Sequence, residues 1–144
     1  MKTKTHNLIG DALDWAVGIA DDSIEMQSLK FYKGTLKHDT GGTMWESWSP
    51  STDWSQGGPI IEQEGISTVL CSGDLGEPRS YWVAVIENQA WSFGYGPYHE
   101  QDDEKSIQIF KRDIYIGPTL LIAAMRCYVA SKLGNEVDIP EGLQ

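Results

Sequence analysis

The stretch Pro118-Thr119-Leu120-Leu121-Ile122-Ala123-Ala124-Met125-Arg126-Cys127-Tyr128-Val129-Ala130-Ser131-Lys132-Leu133-Gly134 decides the fold. Eleven of the sixteen residues from Pro118 to Leu133 are apolar. A helix that is apolar nearly all round is a buried one. Gly117-Pro118 opens it and Gly134 closes it just past the last turn, the placement each residue favours. Arg126 ends the apolar run Leu120–Met125, far short of the roughly 20 residues a spanning helix needs. The sequence therefore predicts a central helix packed across a sheet, with no membrane anchor.

Working outward, Leu8, Ala12, Trp15, Ala16 and Ile19 recur at spacings of three and four, the signature of an amphipathic helix. Asn7 is its expected N-cap, and Asp11 and Asp14 complement the dipole of its first turns. Residues 24–33 show partial alternation and predict a strand. Residues 34–58 carry five glycines with Trp45, Trp48 and Trp54 and predict a long loop. Loops of that length within a domain are usually functional or disordered, and three tryptophans argue against disorder. Gly58-Pro59 predicts the start of a short helix that Gly65 stops. Residues 66–71 and 81–86 read as an antiparallel pair of strands, the second rich in aromatic and β-branched residues. Ile107, Ile109, Ile114 and Ile116 suggest short β segments. The expectation is one α+β domain over 1–144: a small antiparallel sheet packed against an N-terminal amphipathic helix and a buried C-terminal helix, with a long Trp/Gly/Ser-rich loop.

The net charge of −10 is uneven. Residues 1–38 balance five lysines against five acids; residues 39–104 hold twelve acids and Arg79 alone; residues 105–144 hold five bases and four acids. Nucleic-acid binding relies on Lys and Arg neutralising phosphates, so direct nucleic-acid binding is not expected. Met1-Lys2-Thr3-Lys4 leads into Asp11 and Asp14 rather than an apolar core, so no signal peptide is expected. Cys71 and Cys127 read as reduced thiols. His6, His38 and His99 lack partners at metal-ligand spacing, and neither a metal nor a cofactor is expected.

The run from Trp45 to Gly58 is the richest in chemistry. Trp48 and Trp54 offer flat surfaces, and Ser49, Ser51, Thr52 and Asp53 offer polar edges, the composition of a small-ligand site. The same residues also suit a structural role, with tryptophans anchoring the loop and Ser51 and Asp53 capping turns. Gly57-Gly58 before Pro59, and Thr119 at the last helix, place backbone N–H groups at helix starts, where anions bind. Arg126, the lone charge in its apolar run, either lies in a structural contact or holds a carboxylate or phosphate. Asp53, Glu62 and Glu64 are the carboxylates available for base or metal chemistry.

These residues also carry a resemblance. Leu13–Val17, Ser49–Trp54 (Ser-Pro-Ser-Thr-Asp-Trp), Gly57–Pro59, Gly117–Arg126 and Lys132–Gly134 resemble the NinX-like family of tailed-phage accessory proteins, across about half of the chain. The resemblance implies a protein made in an infected bacterial cytoplasm from an accessory region of the phage genome, and it transfers no established activity.

The leading expectation is a non-enzymatic protein that holds a planar, anionic, nucleotide-like ligand between Trp48 and Trp54, with Arg126 or helix N-termini on its anionic end. Sequestering a host defence signal would be its purpose. Two alternatives stand beside it: an acidic module inhibiting a host protein, and a nucleotide-acting hydrolase with Asp53 as base. Apolar and aromatic surface is also compatible with a homo-oligomer.

Overall fold

The computed structural model describes residues 1–21, 24, 29–32, 34–39, 45–71, 80–86 and 114–143. Its elements, in chain order, are β1 (Lys2–Lys4), a 3-10 turn (Thr5–Asn7), α1 (Gly10–Ala20), β2 (Leu29–Tyr32), β3 (Thr35–Asp39), β4 (Trp45–Ser47), α2 (Trp54–Glu64), β5 (Ile66–Cys71), β6 (Tyr81–Ile86), β7 (Tyr115–Gly117), α3 (Leu120–Leu133) and β8 (Glu136–Asp138). This is the expected α+β mixture, but its strands form three antiparallel groups, β1-β8, β2-β3-β4 and β5-β6-β7, where the sequence predicts one sheet.

α3 is the centre of the molecule. Leu121 through Met125 and Cys127 through Val129 are buried, so every face of the helix meets protein. β5, β6 and β7 pack along it, and α1 and α2 lie against it. Its first turn is capped by Thr119, whose Oγ1 accepts from the Ile122 N–H at 3.2 Å. Helical residues thus begin at Leu120, two later than expected, because Pro118 and Thr119 precede the first turn. The Tyr128 hydroxyl donates to the Ala20 carbonyl at 3.2 Å, tying α3 to the end of α1. β5 and β6 form the expected antiparallel pair, in register from Ile66↔Ile86 to Cys71↔Tyr81.

α1 buries Ala12, Leu13, Ala16, Val17 and Ala20 on its inner face. Its N-cap is Ile9, not Asn7, and Ile9 makes no side-chain cap bond. Asn7 instead ends the 3-10 turn, which Leu8, fully buried, plugs into the core. The first and last strands pair with each other, Lys2↔Asp138 through Lys4↔Glu136, a non-local contact that no local pattern announces.

The largest correction concerns residues 34–58. They hold strands β3 and β4 and the start of α2 rather than one long loop. α2 begins at Trp54, with Asp53 as N-cap, so Gly57, Gly58 and Pro59 lie inside the helix and not at its entrance. Gly57 is there for close approach: a Cβ would overlap the Pro50 carbonyl oxygen and come within 2.7 Å of Leu121 Cδ2. Gly57 thus lets α2 lie against the loop before it and against α3. Among the described residues, no helix is long and apolar enough to cross a membrane. Arg79, Ile107, Ile109, the aromatic run 91–98 and the acidic run 100–104 lie outside the described residues.

Candidate functional site

Of the expected site residues, Trp48 and Ser51 come together, but as a clamp on α1. Trp48 is only 8% exposed. Its indole N–H donates to the Asp14 carbonyl at 2.7 Å, and its ring packs 5.5 Å from that of His38. Three residues on, the Ser51 N–H donates to Asp14 Oδ1 at 2.7 Å. Asp14 and Ser51 are both buried. Burial therefore pushes the Asp14 carboxyl up to about 6, against the lowering effect of its contacts with Ser51. The Ser51 hydroxyl sits close to this carboxyl, yet completes no aligned hydrogen bond.

The remaining polar edges of the loop are also engaged within it. The Ser49 carbonyl accepts from the Thr52 and Asp53 N–H groups at 3.0 and 2.8 Å, and from the Thr52 hydroxyl at 3.4 Å. The Ser49 N–H donates to Gln56 Oε1 at 2.7 Å, and Gln56 Nε2 donates to the Ser47 carbonyl at 2.6 Å. Asp53 accepts from the Ser55 hydroxyl and N–H at 2.7 and 2.9 Å, and these bonds hold its carboxyl below the usual carboxylate range. A carboxylate so stabilised is a weaker base than a free one. The Gln56 and Gly57 N–H groups both donate to the Asp53 carbonyl, which closes the first turn of α2. Trp54 stands apart, 57% exposed at the head of α2, with Gly58 beside its ring.

Arg126 is also drawn inward. Its Nε donates to the Leu8 carbonyl at 2.8 Å and Nη1 to the Ile116 carbonyl at 2.7 Å. It thereby ties the segment before α1 to β7, and burial lowers its pKa. Thr119 is committed to capping α3.

A different arrangement faces outward. Lys30, Phe31, Tyr32, Lys37 and Trp45 line an open groove of about 390 Å³ on the β2-β3-β4 sheet. The register explains why they meet. Lys30 pairs with Lys37, Tyr32 with Thr35, Lys37 with Ser47, and Asp39 with Trp45. Directly opposed residues share a face, and alternate residues along a strand share it too. Leu29 and Leu36 take the opposite, buried face. The outer face therefore carries Lys30 and Lys37 between Tyr32 and Trp45, with Asp39 opposite Trp45 on the same face; Phe31, which pairs with Leu36 on the opposite face, also borders the groove. Tyr32 and Phe31 are about half exposed, and Trp45 is 38% exposed. Lys30 Nζ lies 5.2 Å from the Trp45 ring centre, and Lys37 Nζ 5.8 Å from that of Tyr32.

The sequence does contain a signal for this groove. Lys30-Phe31-Tyr32 and Thr35-Leu36-Lys37 flank the two-residue connection 33–34, a spacing that places residue 30 opposite residue 37 in a hairpin.

No curated protein matches the chain. The family model described as Bacteriophage P22, NinX matches residues 4–132. That span takes in both helices that hold the loop, the loop itself, and the strands that build the groove, and the chain belongs to this phage NinX family.

Proposed function

We propose that this phage accessory protein binds a small, planar, anionic ligand of nucleotide-like chemistry in the groove on the outer face of β2-β3-β4. One observation carries the reading: Lys30, Lys37 and the accessible rings of Tyr32 and Trp45 converge on a single groove of about 390 Å³. A chain of net charge −10 has no general attraction for anions, so an anion site needs positive charge concentrated locally. Lys30 and Lys37 supply it. Apolar walls with a few placed polar groups, in a volume of roughly 300–1,000 Å³, are the usual composition of a small-ligand site.

This reading keeps the ligand class expected from the sequence and moves it from the Trp48–Trp54 loop to the groove, because that loop's polar groups, the buried Ser51 hydroxyl excepted, are engaged with one another and with α1. Trp54 remains an accessible ring, but no cation among the described residues lies over it. The protein's setting is the cytoplasm of the infected bacterium, where holding a host nucleotide signal would serve a phage. Calorimetric titration with linear and cyclic nucleotides tests the reading. Binding should be lost in Trp45→Ala and retained in Trp54→Ala. No binding of any nucleotide at millimolar concentration, or loss only in Trp54→Ala, overturns it.

A further inference from the structure

Resting on the binding reading above, we infer that the groove selects ligands whose anionic end carries two or more negative charges, a nucleoside 5′-phosphate or 5′-polyphosphate, over singly charged cyclic mononucleotides. Lys30 and Lys37 are direct partners across β2 and β3. Residues so placed have Cβ atoms about 4.5–5.5 Å apart, and like charges there repel. Among the described residues, the side-chain ion pair is Lys132 with Glu64, and the other joins the N-terminus to Asp138. Neither groove lysine has such a partner.

Each ammonium instead rests over a ring, Lys30 over Trp45 and Lys37 over Tyr32. Exposed contacts of this kind are weak. An entering anion draws both ammoniums off the rings, and the faces they vacate are the surfaces on which a planar base stacks. The two ends of one ligand therefore act together. A terminal phosphate carries close to two charges at neutral pH and offers three oxygens, which matches two lysines. A cyclic phosphodiester carries one charge and leaves one ammonium uncompensated; a nucleoside leaves both. A single-stranded nucleic acid offers the same groups, but it must bring further phosphates against a chain of net charge −10.

The test is calorimetric titration of the full chain at pH 7.5 with adenosine, 3′,5′-cyclic AMP, AMP, ADP and an oligothymidylate. AMP and ADP should bind about tenfold or more tightly than cyclic AMP, the worth of one charge-assisted contact. Lys30→Gln and Lys37→Gln should each remove that advantage, so that AMP and ADP bind no more tightly than cyclic AMP. Both positions are on the surface face of the sheet, and thermal melts of the free variants, no lower than wild type, verify folding. Equal affinity for cyclic AMP and ADP, or lysine variants that weaken every ligand alike, overturns the charge selection while the binding reading stands. An oligothymidylate that outcompetes ADP overturns it in favour of a single strand. No binding by any of these compounds overturns the binding reading itself and the charge selection with it.

Discussion

Replacing Asp14 with Asn should stabilise the protein, and increasingly so as pH rises. Asp14 is 3% exposed, and its carboxyl is pushed from 3.8 up to about 6. An acid with a raised folded pKa binds its proton more tightly in the native state than in the unfolded chain. Its contribution therefore favours folding most below the unfolded value, declines between about pH 4 and 6, and stays unfavourable above. The shift corresponds to about 3 kcal/mol at pH 8. Asn keeps an oxygen to accept from the Ser51 N–H, carries no charge to desolvate, and brings an N–H group for which the unpartnered Ser51 Oγ is an acceptor. The variant should be more stable than wild type by about 1–3 kcal/mol at pH 8, and the gap should shrink by about 1.4 kcal/mol at pH 5. Urea unfolding followed by circular dichroism at pH 5, 6, 7 and 8 measures it. The difference between the two proteins cancels the other carboxylates. A variant less stable than wild type at pH 8, or a gap that does not change with pH, refutes the reasoning.

Gly57→Ala should destabilise by about 1–3 kcal/mol despite the better helix propensity of alanine, because the added carbon meets the Pro50 carbonyl oxygen and Leu121; a melting temperature at or above wild type would contradict the close-approach argument. Arg126→Met keeps the stem but orphans the Leu8 and Ile116 carbonyls, at a cost of about 2–4 kcal/mol in urea unfolding; a change within about 0.5 kcal/mol, the range of ordinary surface substitutions, would remove Arg126 as a structural tie. Lys37→Gln should raise the stability of the free protein by about 0.2–1 kcal/mol by ending the repulsion across β2 and β3. Salt should erase the gain, so a benefit that persists in 0.5 M NaCl would point away from charge.

The parts of the fold that the sequence reveals are those whose residues declare their own surroundings. α3 is legible because apolar residues on every face leave it only the core, and β5-β6 because two runs rich in β-branched residues, the second also in aromatics, flank a stretch of turn residues. β3 and β4 are not, because Thr35-Leu36-Lys37-His38-Asp39 and Trp45-Glu46-Ser47 have little apolar alternation, and their strand state comes from pairing with neighbours. The Gly57-Gly58-Pro59 pattern misleads for a related reason. A local rule places proline at a helix start, but the Asp53 cap sets the start at Trp54, four residues before Gly58, and Gly57 answers to Pro50 and Leu121 across the fold. Asp14 looks like a dipole-complementing acid on a helix surface. Its burial is decided by Trp48, whose indole nitrogen would lie 3.2 Å from any Cβ at Gly18, one turn further along α1. Arg126 is visibly unusual in sequence, yet only the fold decides that carbonyls, rather than a ligand, meet its guanidinium.

The contrast between loop and groove is an argument about where a chain accepts an unfavourable local arrangement. Between Ser47 and Gln56, one polar group after another is answered: Trp48 by Asp14, Ser49 by Gln56, Asp53 by Ser55. Such closure rigidifies a segment and leaves little for a ligand to gain. The outer face of β2-β3-β4 does the reverse. It sets two ammoniums opposite each other, each resting over a ring face. Local rules are broken most often where function requires it. A lysine pair that weakens the free sheet and is relieved by a bound dianion makes ligand affinity and free-state instability two measures of one interaction. Neutralising either lysine should therefore lower ligand affinity while raising the stability of the free protein, a relation that neither a purely structural groove nor a purely apolar one would show.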